Sequence, residues 1–179
     1  MRVRRWKVAA ATLLAAALDC NGGLQPMPAA TTCPTGFVGI CGTVTLQGQL
    51  PDSLQDSTQA VFIGAYHTFP SAPESLFHIQ PFPPSAIPID HATHFYTLRV
   101  PSGRYEWVLA VWQKKSTAPL SAQNADTLLR EIGFYRAGVD TTAHGSGIVT
   151  VSGTGTDSID FVIDFSHMHR ICDYFPPCP

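Results

Sequence analysis

The sequence predicts an all-β sandwich, and three observations carry the prediction. Apolar and polar residues alternate with period two through several short segments, Gly and Pro punctuate those segments, and a single stretch offers a helical turn. The clearest case is His94 to Gln113, HFYTLRVPSGRYEWVLAVWQ. Tyr96, Leu98 and Val100 alternate with Thr97 and Arg99, and Tyr105, Trp107, Leu109 and Val111 alternate beyond Pro101-Ser102-Gly103. Proline presets a turn φ and glycine accepts positive φ, so the chain is expected to reverse there as a hairpin. Trp107 then belongs to the core, and Trp112, of opposite parity, faces outward.

The elements follow in order. Gly42 to Gly48 alternates with two threonines outward, as a half-buried first strand does, and Pro51-Asp52-Ser53 turns the chain. Ala60 to Thr68 places Val61, Ile63 and Ala65 on one face and Phe62 and Tyr66 on the other, so it is expected to be a central strand covered on both sides. Residues 69–93 combine many prolines with Phe69, Phe77, Phe82, Ile87 and Ile89. They are too proline-rich for a regular ladder and too apolar for water, which predicts a long loop packed along the sandwich. After the hairpin comes a polar crossing with one helical turn near Asn124 to Leu129. Strands are then expected at 130–136, 147–152 and 158–165, giving seven in all. In the last, Ile159, Phe161, Ile163 and Phe165 share one face, with Asp160 and Asp164 on the other.

With 179 residues, 45% hydrophobic and only 13% charged, the chain suits one exported β domain plus processing and tether segments. Residues 1–19 read as a signal peptide: MRVRRWK is cationic and Val8 to Leu18 is an uncharged Ala/Leu run too short to span a membrane. Leu18-Asp19-Cys20 resembles a bacterial lipoprotein box, in which Cys20 becomes the lipidated first residue. Cleavage after Ala15-Ala16-Ala17 is the rival. The five cysteines favour the lipid, since lipidation of Cys20 leaves Cys33, Cys41, Cys172 and Cys178 for two disulfides in an oxidising compartment. Local pairing, Cys33 with Cys41 and Cys172 with Cys178, is the preferred connectivity. Cross-pairing remains open if the first and last strands lie side by side and antiparallel.

Removing residues 1–19 takes four of eleven basic residues and one of thirteen acidic ones, leaving a net charge of −5. That balance offers no footprint for nucleic acid, and membrane attachment would rest on the lipid. The domain organisation is thus 1–19 signal peptide, 20–41 lipid-anchored tether, 42–166 sandwich and 167–179 Cys/Pro-rich tail.

The order of pieces resembles a known family. A G-x-V start, VPSGRYEWVLAVW in the centre, IGFYR, V-T-V and the closing I-D-F-x-x-D-F are together similar to the carboxypeptidase regulatory-like, transthyretin-like (prealbumin-like) domain of bacterial envelope proteins, over about residues 42–166. The resemblance implies a seven-stranded Greek-key sandwich without an active site of its own, serving as a spacer, adhesion or accessory module. It supplies no catalytic residues.

The residues themselves offer little chemistry. His167 and His169 flank Met168 and, in extended chain, point the same way with Asp164 or Asp173 nearby, yet solvated imidazoles explain them better than a metal. His91 and His94 with Asp90 are weaker still. Asp160 and Asp164 stand about 13 Å apart on one strand, too far for an acid/base pair. No G-x-S-x-G is present, and Ser102 is a turn former. No catalytic residue, metal or cofactor is expected. The expectation is a non-enzymatic envelope lipoprotein, at the outer membrane or periplasmic face, with an envelope protein or glycan as partner. Trp112, Tyr66 and Phe62 are the candidate sugar-stacking residues of a carbohydrate-binding alternative, and an accessory domain of an envelope hydrolase is a further one.

Overall fold

The computed structural model describes residues 31–50, 52–89 and 92–176. The chain is mostly β, with strands β1 (Ile40–Gln47), β2 (Thr58–Tyr66), β3 (Ala86–Ile87), β4 (Thr93–Leu98), β5 (Gly103–Tyr105), β6 (Trp107–Lys114), β7 (Leu129–Phe134), β8 (Val149–Val151), β9 (Phe161–Asp164) and β10 (His169–Arg170). Two one-turn helices interrupt them, α1 (Asp52–Gln55) and α2 (Ala125–Leu128). Strands stand at the seven expected places, and the short β3, β5 and β10 add to them, so the described residues hold ten strands rather than seven. The second helix is the predicted turn, whereas the first replaces the simple reversal expected after Pro51.

Two main sheets enclose one core. The first has the order β4-β1-β9, the second β10-β7-β6-β2-β3, and β5 pairs with β8 alone. Ile40, Val44, Tyr96, Leu98, Phe161 and Ile163 from one sheet meet Val61, Ile63, Ala65, Val108, Ala110, Trp112 and Ile132 from the other. Both faces of β2 are buried, as its two apolar stripes require, with Phe62 and Tyr66 in a second cluster on the outer side of the larger sheet. That outer face is covered by Leu76 and Ile79 of the proline-rich segment, Ala125 of α2, and Ile171, Tyr174 and Phe175 of the tail.

The proline-rich segment does pack along the sheet as expected. It also joins the ladder, which corrects the expectation of a pure loop. A short 3-10 helix at Pro73–His78 brings the Leu76 carbonyl to the Tyr66 hydroxyl at 2.7 Å, Gln80 and Ala65 exchange backbone bonds of 2.8 Å, and β3 pairs with β2. Ile79 lies so close over β2 that a Cβ at Gly64 would stand 2.3 Å from its Cδ1. One aromatic escapes this cover, since Phe82 is 70% exposed.

The central hairpin is not formed. β4 pairs antiparallel with β1 and β6 pairs with β2 and β7, so the stretch 94–113 carries the chain from one sheet across to the other. Pro101-Ser102 bends the chain as turn chemistry requires, but Gly103 enters β5 and pairs with Val151 of β8. The Ser102 hydroxyl donates to the Ser152 carbonyl at 3.0 Å, and Tyr105 returns its hydroxyl to Pro101 at 2.9 Å. Gly103 is not among the positive-φ glycines, so the bend does not use it as a positive-φ turn residue.

The break at Glu106 re-aims everything after it. Tyr105 is in the main core, but Trp107, Leu109 and Val111 point to the outer cluster. Val108, Ala110 and Trp112 therefore face inward, which reverses the tryptophan assignment expected from parity. Trp107 (1% exposed) sits among Tyr66, Phe69, Phe134 and Tyr174, with its Nε1 unpartnered. Trp112 (3% exposed) donates Nε1 to the Thr58 hydroxyl at 2.9 Å.

The disulfide joins Cys33 to Cys41 with Cα atoms 5.5 Å apart, the local pairing. Strand direction explains why. β1 and β9 do lie side by side, but parallel, so the entrance of β1 meets the entrance of β9 and not its exit. Cross-pairing had required the antiparallel case. Cys172 is also disulfide-bonded. Cys178 and the lipidation candidate Cys20 lie outside the described residues, as do the signal segment, Asp90 and His91.

Candidate binding cleft

The seam between the two sheets is closed at one point and open around it. β6 and β7 slip register between Ala110–Gly133 and Val111–Glu131, so Ile132 is an extra residue and the strand is bulged. Gly133, at φ +149, follows the bulge and lets β9 come close: a Cβ there would stand 2.0 Å from the Val162 carbonyl oxygen. Beside this contact a cleft of about 450 Å³ opens, lined by Gln47, Glu131, Arg136, Asp160, Asp164, His167 and His169 with Phe134 and Val162.

Glu131 is the floor of this cleft and is 1% exposed. Its carboxylate accepts from the Gly133 N–H and from the Tyr174 hydroxyl at 2.8 Å, and His169 is its cross-strand neighbour on β10. Burial raises its pKa above the ordinary carboxylate range, against the pull of the Tyr174 and Gly133 hydrogen bonds. The same burial, reinforced by the Glu131 charge, pushes the Tyr174 hydroxyl far up, so it remains a donor at any ordinary pH.

The rim is acidic on the β9 side. Asp164 accepts from the Ser166 hydroxyl at 2.5 Å, from His167 Nδ1 at 2.8 Å and from the Ser166 N–H at 2.8 Å, which hold its pKa down to about 2. Asp160 accepts from the Thr43 N–H at 2.6 Å and ties β1 to the start of β9. On the opposite side Arg136 lies over the Phe134 ring, 3.8 Å from its centroid. The cleft thus offers carboxylates, imidazoles and a guanidinium along one wall-to-wall span, suited to holding a small polar ligand by several hydrogen bonds.

His167 and His169 do share this cleft, as their spacing suggested, but each turns to its own carboxylate: His167 to Asp164, and His169 to Asp173 with Nδ1 and Oδ2 3.9 Å apart. They do not converge on one point with a third donor. Among the described residues the group with metal-type spacing is Cys33, Cys41 and Asp157, and two of its three members are consumed in the disulfide. Trp112, Tyr66 and Phe62 form no sugar platform. All are buried, and Trp112 lies in the main core while the other two lie in the outer cluster. Phe62 and Tyr66 lie on the face of β2 opposite Val61 and Ile63, under the proline-rich segment, and the break at Glu106 turns Trp112 inward, the reverse of its expected face.

Glu131, Arg136 and Tyr174 carry no motif. The signal that points to Glu131 is an acid in the middle of the apolar strand LREIGF, and beyond Gly133 its partners lie 38 or more residues away, at His169 and Tyr174. No protein-family model, curated protein or solved structure matches the chain.

Proposed function

We propose that the chain is an exported envelope protein, anchored by lipid on Cys20, whose β domain works without enzymatic chemistry as a binding module with its ligand in the β7–β9 cleft. The observation that carries the reading is the cleft itself: an opening beside a bulge and a close strand crossing, floored by a buried, hydrogen-bonded carboxylate. The Cys33–Cys41 bridge supports the compartment, because structural disulfides persist outside the reducing cytosol. The transthyretin-like Greek-key reading is supported by the first and last long strands lying side by side in one sheet and by β6 running between β2 and β7 in the other.

Two measurements test this. Mass spectrometry of the membrane fraction is expected to find an N-terminal diacylglyceryl Cys20, and an unmodified mature peptide spanning Leu18 to Gln25 refutes the anchor. A glycan array and a panel of small polar ligands on the purified mature chain is expected to find binding that Arg136→Ala and His167→Ala weaken. Binding untouched by either substitution, or catalytic turnover of a ligand, refutes the cleft reading.

A further inference from the structure

The two main sheets end in four edges, and three are protected. β3 is two residues long between Pro84 and Pro88, and β10 is two residues, one of them Arg170. β9 is closed against β7 at Gly133. β4 is different: six residues, Thr93-His94-Phe95-Tyr96-Thr97-Leu98, regular in register with β1, with no Lys, Glu, Asp or Pro and no bulge.

The bonds of β1 fix the direction of the backbone groups of β4. Cys41 exchanges backbone bonds with Thr156 and Ile159 on the β9 side, and Gln47 accepts from Phe165 there, whereas Leu46 donates to Ala92 on the β4 side. Even-numbered residues of β1 therefore bond β4, and their partners Leu98, Tyr96 and His94 turn their backbone groups inward. Thr93, Phe95 and Thr97 turn theirs outward. The N–H and C=O of Phe95 and Thr97 meet no partner among the described residues.

We propose that β4 pairs antiparallel with β4 of a second copy of this chain, about a two-fold axis at Phe95, joining the two smaller sheets into one. The segment is nearly palindromic: centred on Phe95, Thr93 meets Thr97 of the second copy, His94 meets Tyr96, and Phe95 meets Phe95. The outward residues are those that an antiparallel partner bonds, and three hydrogen-bonded pairs give about six backbone bonds. Phe95 is half-buried in the single chain and gains an aromatic cross-strand neighbour. An uncharged edge that is self-complementary in sequence suits its own copy better than a partner of another sequence.

Sedimentation equilibrium on the purified mature chain is expected to show a dimer. Thr93→Lys/Thr97→Lys sets lysine against lysine at both ends of the pairing and is expected to weaken self-association about tenfold or more. Thr93→Lys/Thr97→Glu sets lysine against glutamate in the same register and is expected to restore the dimer. Both positions are exposed, and thermal melting of each monomeric unit checks that the fold survives. A monomeric parent chain overturns the proposal, as does a dimer indifferent to the double lysine variant. Failure of the lysine–glutamate variant to dimerise overturns the stated register.

Discussion

Trp107 and Trp112 give a direct test of the reversed assignment of faces. Trp→Phe removes the same atoms at both positions, and both side chains are almost fully buried. Partial truncation of a large buried side chain costs roughly 1–2 kcal/mol in lost transfer energy and residual cavity. At Trp112 the change also breaks the 2.9 Å bond to the Thr58 hydroxyl, adding about 1 kcal/mol. At Trp107 it removes an N–H that has no acceptor, and so relieves a desolvation cost of about 1–3 kcal/mol. Trp112→Phe should therefore destabilise by about 2–3 kcal/mol, and Trp107→Phe by about 1 kcal/mol or less. Urea denaturation of each variant with disulfides intact, read by far-ultraviolet circular dichroism, gives the two values. Equal losses, or a larger loss at Trp107, would refute the reasoning.

Further outcomes concern the cleft and the disulfide. Gly133→Ala places a Cβ into the Val162 carbonyl at a positive φ and should cost about 3 kcal/mol in the same assay. Tyr174→Phe removes one of the two donors to Glu131 and should cost about 1–3 kcal/mol at neutral pH. Because the Glu131 pKa is raised on folding, protonation favours the native state, and this contribution is lost as pH rises through the folded value. Tyr174→Phe should raise that value further, so its stability loss should shrink in acid and grow toward neutrality in a pH series of denaturation midpoints. Asp164 has the opposite sign: its pKa falls from 3.8 to about 2, so its contribution is present above the unfolded value and lost between them in acid. Asp164→Asn should flatten the acid limb of the stability profile there. Cys33→Ser opens a short loop and should cost about 2.5 kcal/mol in a non-reducing melt.

What was legible in the sequence is what the pleat alone determines. β9 shows two distinct parities, so its faces could be read directly, as Asp164 against Ile163, and both stripes of β2 are apolar, so that strand could be read as covered on both sides. The burial of the proline-rich segment was legible for a similar reason, since its apolar content had to go somewhere. β6 was not, because WVLAVW is apolar at every position and parity cannot say which side is the core. Pro101-Ser102-Gly103 announces a bend but does not name the strand that receives the chain; that depends on β1 and β8, sixty residues before and about fifty after. The cleft was least legible. It needs a bulge, a glycine crossing and a tail returning to β7, and each is set by pairing between distant segments.

The parallel pairing of β1 with β9 has a mechanical consequence. The chain enters the domain through β1, the middle strand of its sheet, and once β10 and the tail are drawn off β7, tension between the two ends of the chain pulls β1 backward along its own axis while β9 is drawn forward. Parallel neighbours loaded this way slide, so Val44, Thr45, Leu46 and Gln47 must part from β9 together rather than one after another. The Cys33–Cys41 bridge takes the first stretch of chain out of this extension, because force crosses it through the sulfur atoms. A protein held at its N-terminus and tugged through its C-terminus would then resist in one abrupt event, with a lifetime under force governed by the unfolding rate rather than by equilibrium stability.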